Sequence, residues 1–245
     1  MNSMSPSTNT SSSTRPVDVR RMFDEIAPRY DLLNHVLSFG SDLYWRRSAV
    51  RELNVKPDAR ILDIAIGTGD LAFAAARVKA KRVVGIDPAE RMLKRCLEKS
   101  INHRSLESLQ LVCGVAETLP MKDNSFHSAM IAFGVRNFSD IQKGLSEIHR
   151  VLKPGASFIA LELTQPRNRF FRKLFRMYFE HLVPILGRLV SGSPYAYRYL
   201  PDSVSTFPAY ESFAILLRAA GFRQVWYRTL TFGTCTLYHG IKELV

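Results

Sequence analysis

Cysteine is scarce in this chain, and what there is lies far apart: Cys96, Cys113 and Cys235 form no CxxC pair. That excludes a disulfide framework and fits a reducing, cytoplasmic setting. The six histidines fall into no HExxH or comparable ligand spacing, so no metal is expected. No apolar run reaches the roughly 18–20 residues that cross a bilayer. Residues 1–15 are rich in Ser, Thr and Asn and lack the apolar core of a signal peptide. They are expected to be a disordered tail, with residues 16–245 forming one domain. Carboxylates are also in deficit. With 22 Asp+Glu against 34 Lys+Arg, the formal net charge is +12. Such a balance suits acidic partners, whether nucleic acid, anionic lipid or a phosphate-bearing substrate, although charge alone equally describes an ordinary basic surface.

What the sequence does contain is a regular alternation. Short apolar runs at 60–65, 82–86, 109–113, 128–133 and 157–163 read as buried strands. Helical patterns occupy 17–30, 42–53, 70–78, the stretch after Pro88 through Leu97, 140–152 and 210–220. Lys153-Pro154-Gly155 reads as a stop after the fifth of these helices. Alternating strands and helices imply a parallel sheet covered on both faces. Two last strands, near 225–231 and 235–241, are joined by Phe232-Gly233-Thr234. That link is too short for a parallel crossover, so this pair is antiparallel. The expected fold is therefore α/β: a Rossmann-like, seven-stranded sheet ending in an antiparallel hairpin, the plan of class I S-adenosylmethionine-dependent methyltransferases.

The strongest chemical signal is LDIAIGTGDL at 62–71. A strand delivers Asp63, a Gly-x-Gly turn follows, and a helix begins. Gly67 and Gly69 let the backbone turn sharply against a ligand. Asp87 ends the next strand about 20 residues later, where a carboxylate grips ribose hydroxyls. The same turn satisfies GxGxxA, the dinucleotide fingerprint. Asp63 and Asp70 argue for S-adenosylmethionine instead: carboxylates suit a cationic amine and a sulfonium and repel a pyrophosphate. The expected cofactor site is Asp63, Gly67, Thr68, Gly69 and Asp87, with Val115 and Ala116 beside the adenine in the loop after the third strand.

One stretch interrupts the alternation. Residues 167–200 interleave Arg167, Arg169, Arg172, Lys173, Arg176 and Arg188 with aromatic and aliphatic side chains. Long insertions without a place in the sheet are usually functional. The aromatic-basic pattern could stack nucleic-acid bases, but Leu174, Leu182, Ile185, Leu186, Leu189 and Val190 suit an apolar ligand or a bilayer better. The chain is expected to meet an anionic membrane peripherally and no nucleic acid. A homo-oligomer stays open.

Several stretches together resemble one family, the ubiquinone/menaquinone biosynthesis C-methyltransferases of the demethylmenaquinone methyltransferase type. They are 30–45, Phe133-Gly-Val-Arg-Asn137, Arg150-Val-Leu-Lys-Pro-Gly155 with Glu162-Leu-Thr164, and Tyr197-Arg-Tyr-Leu200. The resemblance covers nearly everything after about residue 20. It departs at Ile66 and Asp42, where Gly and His are usual, and at Val115 and Ala132, where Asn and Ser are usual. The resemblance implies methyl transfer to a ring carbon of a polyprenylated quinol, demethylmenaquinol above all. Another lipid or small molecule is the alternative acceptor. It implies catalytic or positioning roles for Arg136, Asn137 and Tyr30, with Asp31 and Asn34 in an N-terminal helical lid over 16–55. The insertion, 167–205, would then lie on the substrate side. Arg136 could instead serve as an ion-pair partner of Asp140, and His35 reads as structural. The location implied is cytoplasmic, peripheral on the inner face of the membrane.

Overall fold

The central strands are apolar almost throughout because helices cover both faces of the sheet. The computed structural model describes residues 18–53, 58–77, 82–101, 106, 108–183 and 196–244. The tail expected at 1–15 and the insertion residues Ile185, Leu186, Arg188, Leu189 and Val190 lie outside them. The strands are β1 (Arg60–Ile64), β2 (Arg82–Asp87), β3 (Ser108–Cys113), β4 (Phe126–Ala132), β5 (Leu152–Leu163), β6 (Phe222–Leu230) and β7 (Cys235–Lys242). They form one seven-stranded sheet in the order β3-β2-β1-β4-β5-β7-β6. The first five are parallel, and β7 runs antiparallel to both β5 and β6. The expected fold is the fold observed. Strand β1 pairs with β2 on one side and β4 on the other. The order reverses there, and the carboxyl edge at such a switch point is where open α/β sheets bind ligands.

The helices divide between the two faces. Leu62, Ile64, Phe158 and Tyr238 pack toward α6 (Ile141–Val151) and α9 (Glu211–Ala219). Ile61, Val83, Met130 and Leu237 point the other way, against α3 (Ser41–Glu52) and α4 (Asp70–Ala76). A third cluster stands over the carboxyl edge. There Met22 and Ile26 of α1 (Val19–Ile26) and Leu33 of α2 (Tyr30–Leu37) meet Met92 of α5 (Glu90–Ser100) and Phe179 of the insertion.

Two local expectations change. The helix read at 17–30 is two helices, α1 and α2, separated by a 3₁₀ turn at Ala27–Arg29. Pro28 has no N–H to give the helical ladder and breaks it there. Strand β5 begins at Leu152, five residues earlier than expected. Leu152 pairs with Phe126 before the register shifts, and Pro154 and Gly155 are exposed in this irregular lead. The insertion is largely helical where described: α7 (Arg169–Met177) continues into a π-helical turn, Tyr178–Leu182, and α8 (Ala196–Thr206) follows later. The N-terminal helices are pinned at two points. Trp45 donates its indole N–H to Thr231 Oγ1 at 2.7 Å, and Tyr178 donates its hydroxyl to the Leu37 carbonyl at 2.6 Å.

Ile66 shows how a departure in the Gly turn is absorbed. Its side chain is buried, and it occupies the space above Gly85 of β2. A Cβ on Gly85 would fall 2.3 Å from Ile66 Cδ1. Gly85→Ala should therefore cost about 1–3 kcal/mol, the usual penalty of overpacking, read as a drop of several degrees in Tm. In an Ile66→Gly background the same change should cost much less, and equal costs in both backgrounds would rule out the contact.

Candidate active site

The turn after β1 requires a left-handed backbone at Ala65, Gly67 and Gly69, with φ of 50°, 56° and 89°. At Gly69 a side chain is excluded twice over, since a Cβ would also lie 2.6 Å from Cys96 Sγ and 2.7 Å from Phe73. Asp63, at the end of β1, is fully buried beneath this turn. Burial raises its carboxyl well above the ordinary range, against the pull of the nearby Arg46 guanidinium. Its Oδ2 has no hydrogen-bond partner. Asp87, one strand away, accepts from the backbone N–H of Gly67 at 2.9 Å and of Ala89 at 2.8 Å. Burial pushes its carboxyl up to about 6. Each Asp87 oxygen keeps a lone pair for a further donor. Beside it, the Gly114 N–H donates to the Asp87 carbonyl at 3.2 Å, which brings the next two residues to the same rim. Val115 is 43% exposed there, while Ala116 is buried.

Helix α2 reaches down onto the turn. The Thr68 hydroxyl donates to Asp31 of α2. Lys99, in the last turn of α5, holds Asp31 at 2.7 Å and Asp70 at 2.5 Å. Tyr30 lies across Gly67, with 3.9 Å between its ring and the position a Gly67 Cβ would take. Burial raises its hydroxyl pKa, opposed by Asn34, Arg136 and Arg46. Lys99 escaped the sequence reading because it stands 29 residues from Asp70 and 68 from Asp31, and no motif marks it.

A cavity of about 550 Å³ meets the turn through Tyr30. Its wall is mainly apolar, with Leu33, Phe133, Phe175, Tyr178 and Phe232 prominent, and Tyr30 and Arg136 line it as well. Arg136 donates through Nη1 to Glu162 at 2.6 Å and to the Phe133 carbonyl at 2.5 Å. Its partner is thus Glu162, entirely buried in β5, and not Asp140. Asp140 caps α6 by accepting from the Lys143 N–H at 3.0 Å. The Arg136 Nε is buried and has no acceptor. Asn137 accepts from the Tyr199 hydroxyl at 2.8 Å, which ties the end of β4 to the insertion.

His35, Asp42 and Asp70 offer side-chain atoms within 4.8 Å of one another, but a guanidinium already stands among them. Arg46 is 2.9 Å from Asp42 and 3.7 Å from Asp70. Asp42 also accepts from Ser38 at 2.8 Å and faces His35 Nδ1 at 2.9 Å. Asp42, where the sequence departs from the residue usual in the family, is therefore the buried anchor of α3.

The residues fit a ligand with a cationic amine beside a ribose. A buried carboxylate oxygen without a partner, an acidic Gly turn and a second carboxylate at the neighbouring strand end supply the complementary groups. The profile of the ubiE/COQ5 methyltransferase family matches residues 8–242. The demethylmenaquinone methyltransferase of Chlorobaculum tepidum is 43% identical over 228 residues, 91% of this chain and 92% of that protein. That of Thermus thermophilus is 47% identical over 220 residues, 89% and 99% of the two chains. Among solved structures, an S-adenosylmethionine-dependent methyltransferase of Thermotoga maritima superposes with a TM-score of 0.64 at 21% identity, covering 91% of this chain and 99% of its own.

The Asp42–Arg46 pair yields a test of the lid's attachment. Removing one member of a buried pair strands the other charge, at a cost of about 3–5 kcal/mol. Asp42→Ala should lower the unfolding free energy by that order in denaturant melts. Asp42→Ala combined with Arg46→Met should recover much of the loss. A single variant as stable as the parent would deny the pair its structural role.

Proposed function

The chain belongs to the ubiE/COQ5 methyltransferase family, and from that premise we propose that it transfers a methyl group from S-adenosylmethionine to a ring carbon of a polyprenylated quinol, demethylmenaquinol first. The observation that carries this reading is the meeting of two unlike sites at Tyr30, whose ring covers the acidic Gly turn and also lines the apolar cavity. One side suits a charged nucleotide-like donor and the other a ring with a long hydrocarbon tail.

S-adenosylmethionine, when bound, supplies an electrophilic methyl on a sulfonium. Asp63 would receive its amine, Asp87 its ribose, and Thr68 with the Gly67 and Gly69 backbone would line the turn. Val115 and Ala116 would flank the adenine. On the acceptor side, the quinol hydroxyl must lose a proton before the ring carbon is nucleophilic. A guanidinium is a poor base, but the free Nε donor of Arg136 faces no protein acceptor and suits a developing quinolate oxygen. Glu162 fixes the guanidinium and balances its charge, and a water held by Arg136 takes the proton. Asn137 and Tyr199 steady the strand end that carries it.

No helix among the described residues is long and apolar enough to cross a membrane. A polyprenyl tail must therefore enter from a bilayer the chain approaches. Phe39, Phe170, Leu174 and Phe232 are 76, 72, 56 and 71% exposed around the cavity and α7, and Arg169 and Lys173 stand beside them. These side chains suit the headgroup region of an anionic leaflet.

Three measurements test this. Asp87→Ala should weaken S-adenosylmethionine binding about tenfold or more, the worth of a charge-assisted hydrogen bond. In the parent, affinity should fall as pH drops through about 6, where Asp87 gains its proton and loses an acceptor; Asp87→Asn should flatten that profile. Arg136→Ala should lower kcat for demethylmenaquinol far more than it alters donor affinity, and unchanged kcat in a folded variant would end its proposed role. Gln at Arg169, Arg172, Lys173 and Arg176 together should abolish sedimentation with anionic liposomes.

A further inference from the structure

The molecule has a second cavity, of about 370 Å³, in the groove between α3 and α4. Arg46, Arg47 and Arg51 of α3 face it, as do Asp70 at the start of α4 and Arg77 just past its end. Four guanidinium groups thus share one small volume with a single carboxylate. That carboxylate is engaged at one oxygen, Asp70 Oδ1 holding Lys99 at 2.5 Å, while its buried Oδ2 has no hydrogen-bond partner and lies 3.7 Å from Arg46 Nη2. Arg47, Arg51 and Arg77 are exposed and make no ion pair or side-chain hydrogen bond among the described residues. Arg46 is different: it is 5% exposed, it gives Nη1 to Asp42, and its buried Nε has no acceptor. The floor is apolar, with Val50, Phe73 and Ala74, which strengthens any electrostatic contact made there.

Arginines four residues apart on one helix, as Arg47 and Arg51 are, repel each other. No acidic side chain among the described residues pairs with either. On α7, two of the basic residues are engaged within the protein: Arg172 donates to the backbone carbonyls of Pro166 and Arg167, and Arg176 pairs with Glu180.

We propose that the α3–α4 groove binds a compact multivalent oxyanion of the phosphate or diphosphate class. Planar guanidinium groups match phosphoryl oxygens two at a time, and the surplus of cations calls for more than one negative charge. The buried Arg46 Nε marks the inner end of the site. Arg47, Arg51 and Arg77 form its mouth. The phosphoryl group could be free or carried by a lipid headgroup, and the two sources separate experimentally. An occupant would also bridge α3, which belongs to the lid, to α4, which the Gly turn opens. Occupancy should therefore stabilise the fold.

The test uses the full chain, sodium phosphate and sodium pyrophosphate as free probes, and phosphatidylcholine vesicles with or without phosphatidylglycerol. Calorimetry should show one pyrophosphate bound per chain, more weakly at higher salt, with a rise in Tm. Replacing Arg47, Arg51 and Arg77 with Gln should weaken binding at least tenfold, and Arg77→Gln alone should give an intermediate loss. Arg169→Gln with Lys173→Gln should leave the calorimetric titration unchanged. If the free anions are silent but phosphatidylglycerol vesicles bind and the triple variant loses that binding, the site stands with a headgroup as its ligand. If neither probe binds the parent, or the folded triple variant binds both like the parent, the proposal is overturned.

Discussion

Four acidic side chains, Asp31, Asp63, Asp70 and Asp87, meet at the carboxyl edge of the sheet, and holding acidic groups in so buried a place is the constraint around which the site is built. Two cations answer it. Lys99 joins Asp31 to Asp70, and Arg46 stands between Asp42 and Asp70 while drawing the Asp63 carboxyl down. Backbone N–H groups hold Asp87. Asp63 and Asp70 each keep a buried Oδ2 without a hydrogen-bond partner; that of Asp70 lies 3.7 Å from the Arg46 guanidinium, whereas among the described residues no ion pair reaches that of Asp63. The Asp63 oxygen leaves the turn short of one positive group, which a ligand with an amine supplies.

The same charges couple the lid to the sheet. Helix α2 touches the Gly turn through Asp31 and Tyr30, and α3 is held by the buried Asp42–Arg46 pair. The lid is therefore attached by ion pairs near the donor side and by apolar packing near the cavity. Trp45 and Tyr178 add one hydrogen bond each, to the hairpin and from the insertion. The two sides of the reaction proposed for this family member differ in polarity, and Tyr30 is the residue that faces both.

Much of this was legible in the sequence, for identifiable reasons. The parallel sheet and its antiparallel end followed from strand–helix alternation and from the short Phe232–Thr234 link, both local features. The Gly turn, Asp63 and Asp87 were readable because their chemistry lies within one βαβ unit. Lys99 and Glu162 were not, since each acts on residues tens of positions away. Asp42 looked like a bare departure until folding set Arg46, one helical turn on, in the buried space beside it. Ile66 likewise looked like a loss in the turn, but Gly85 on the neighbouring strand makes the room it needs. The cavity's wall is drawn from the lid, strand ends, insertion and hairpin, which no single stretch of sequence could reveal.

The central claim is that the acidic turn is completed by a cationic ligand group at Asp63. Burial holds this carboxyl well above its ordinary range, so in the free chain it keeps its proton to unusually high pH. An ammonium brought against it stabilises the ionised form. Calorimetry of S-adenosylmethionine binding in buffers of different ionisation enthalpy measures the protons exchanged. The account predicts proton release on binding to the parent chain, and its disappearance together with a large loss of affinity in Asp63→Asn. Equal affinity and equal proton exchange in the two proteins would contradict it.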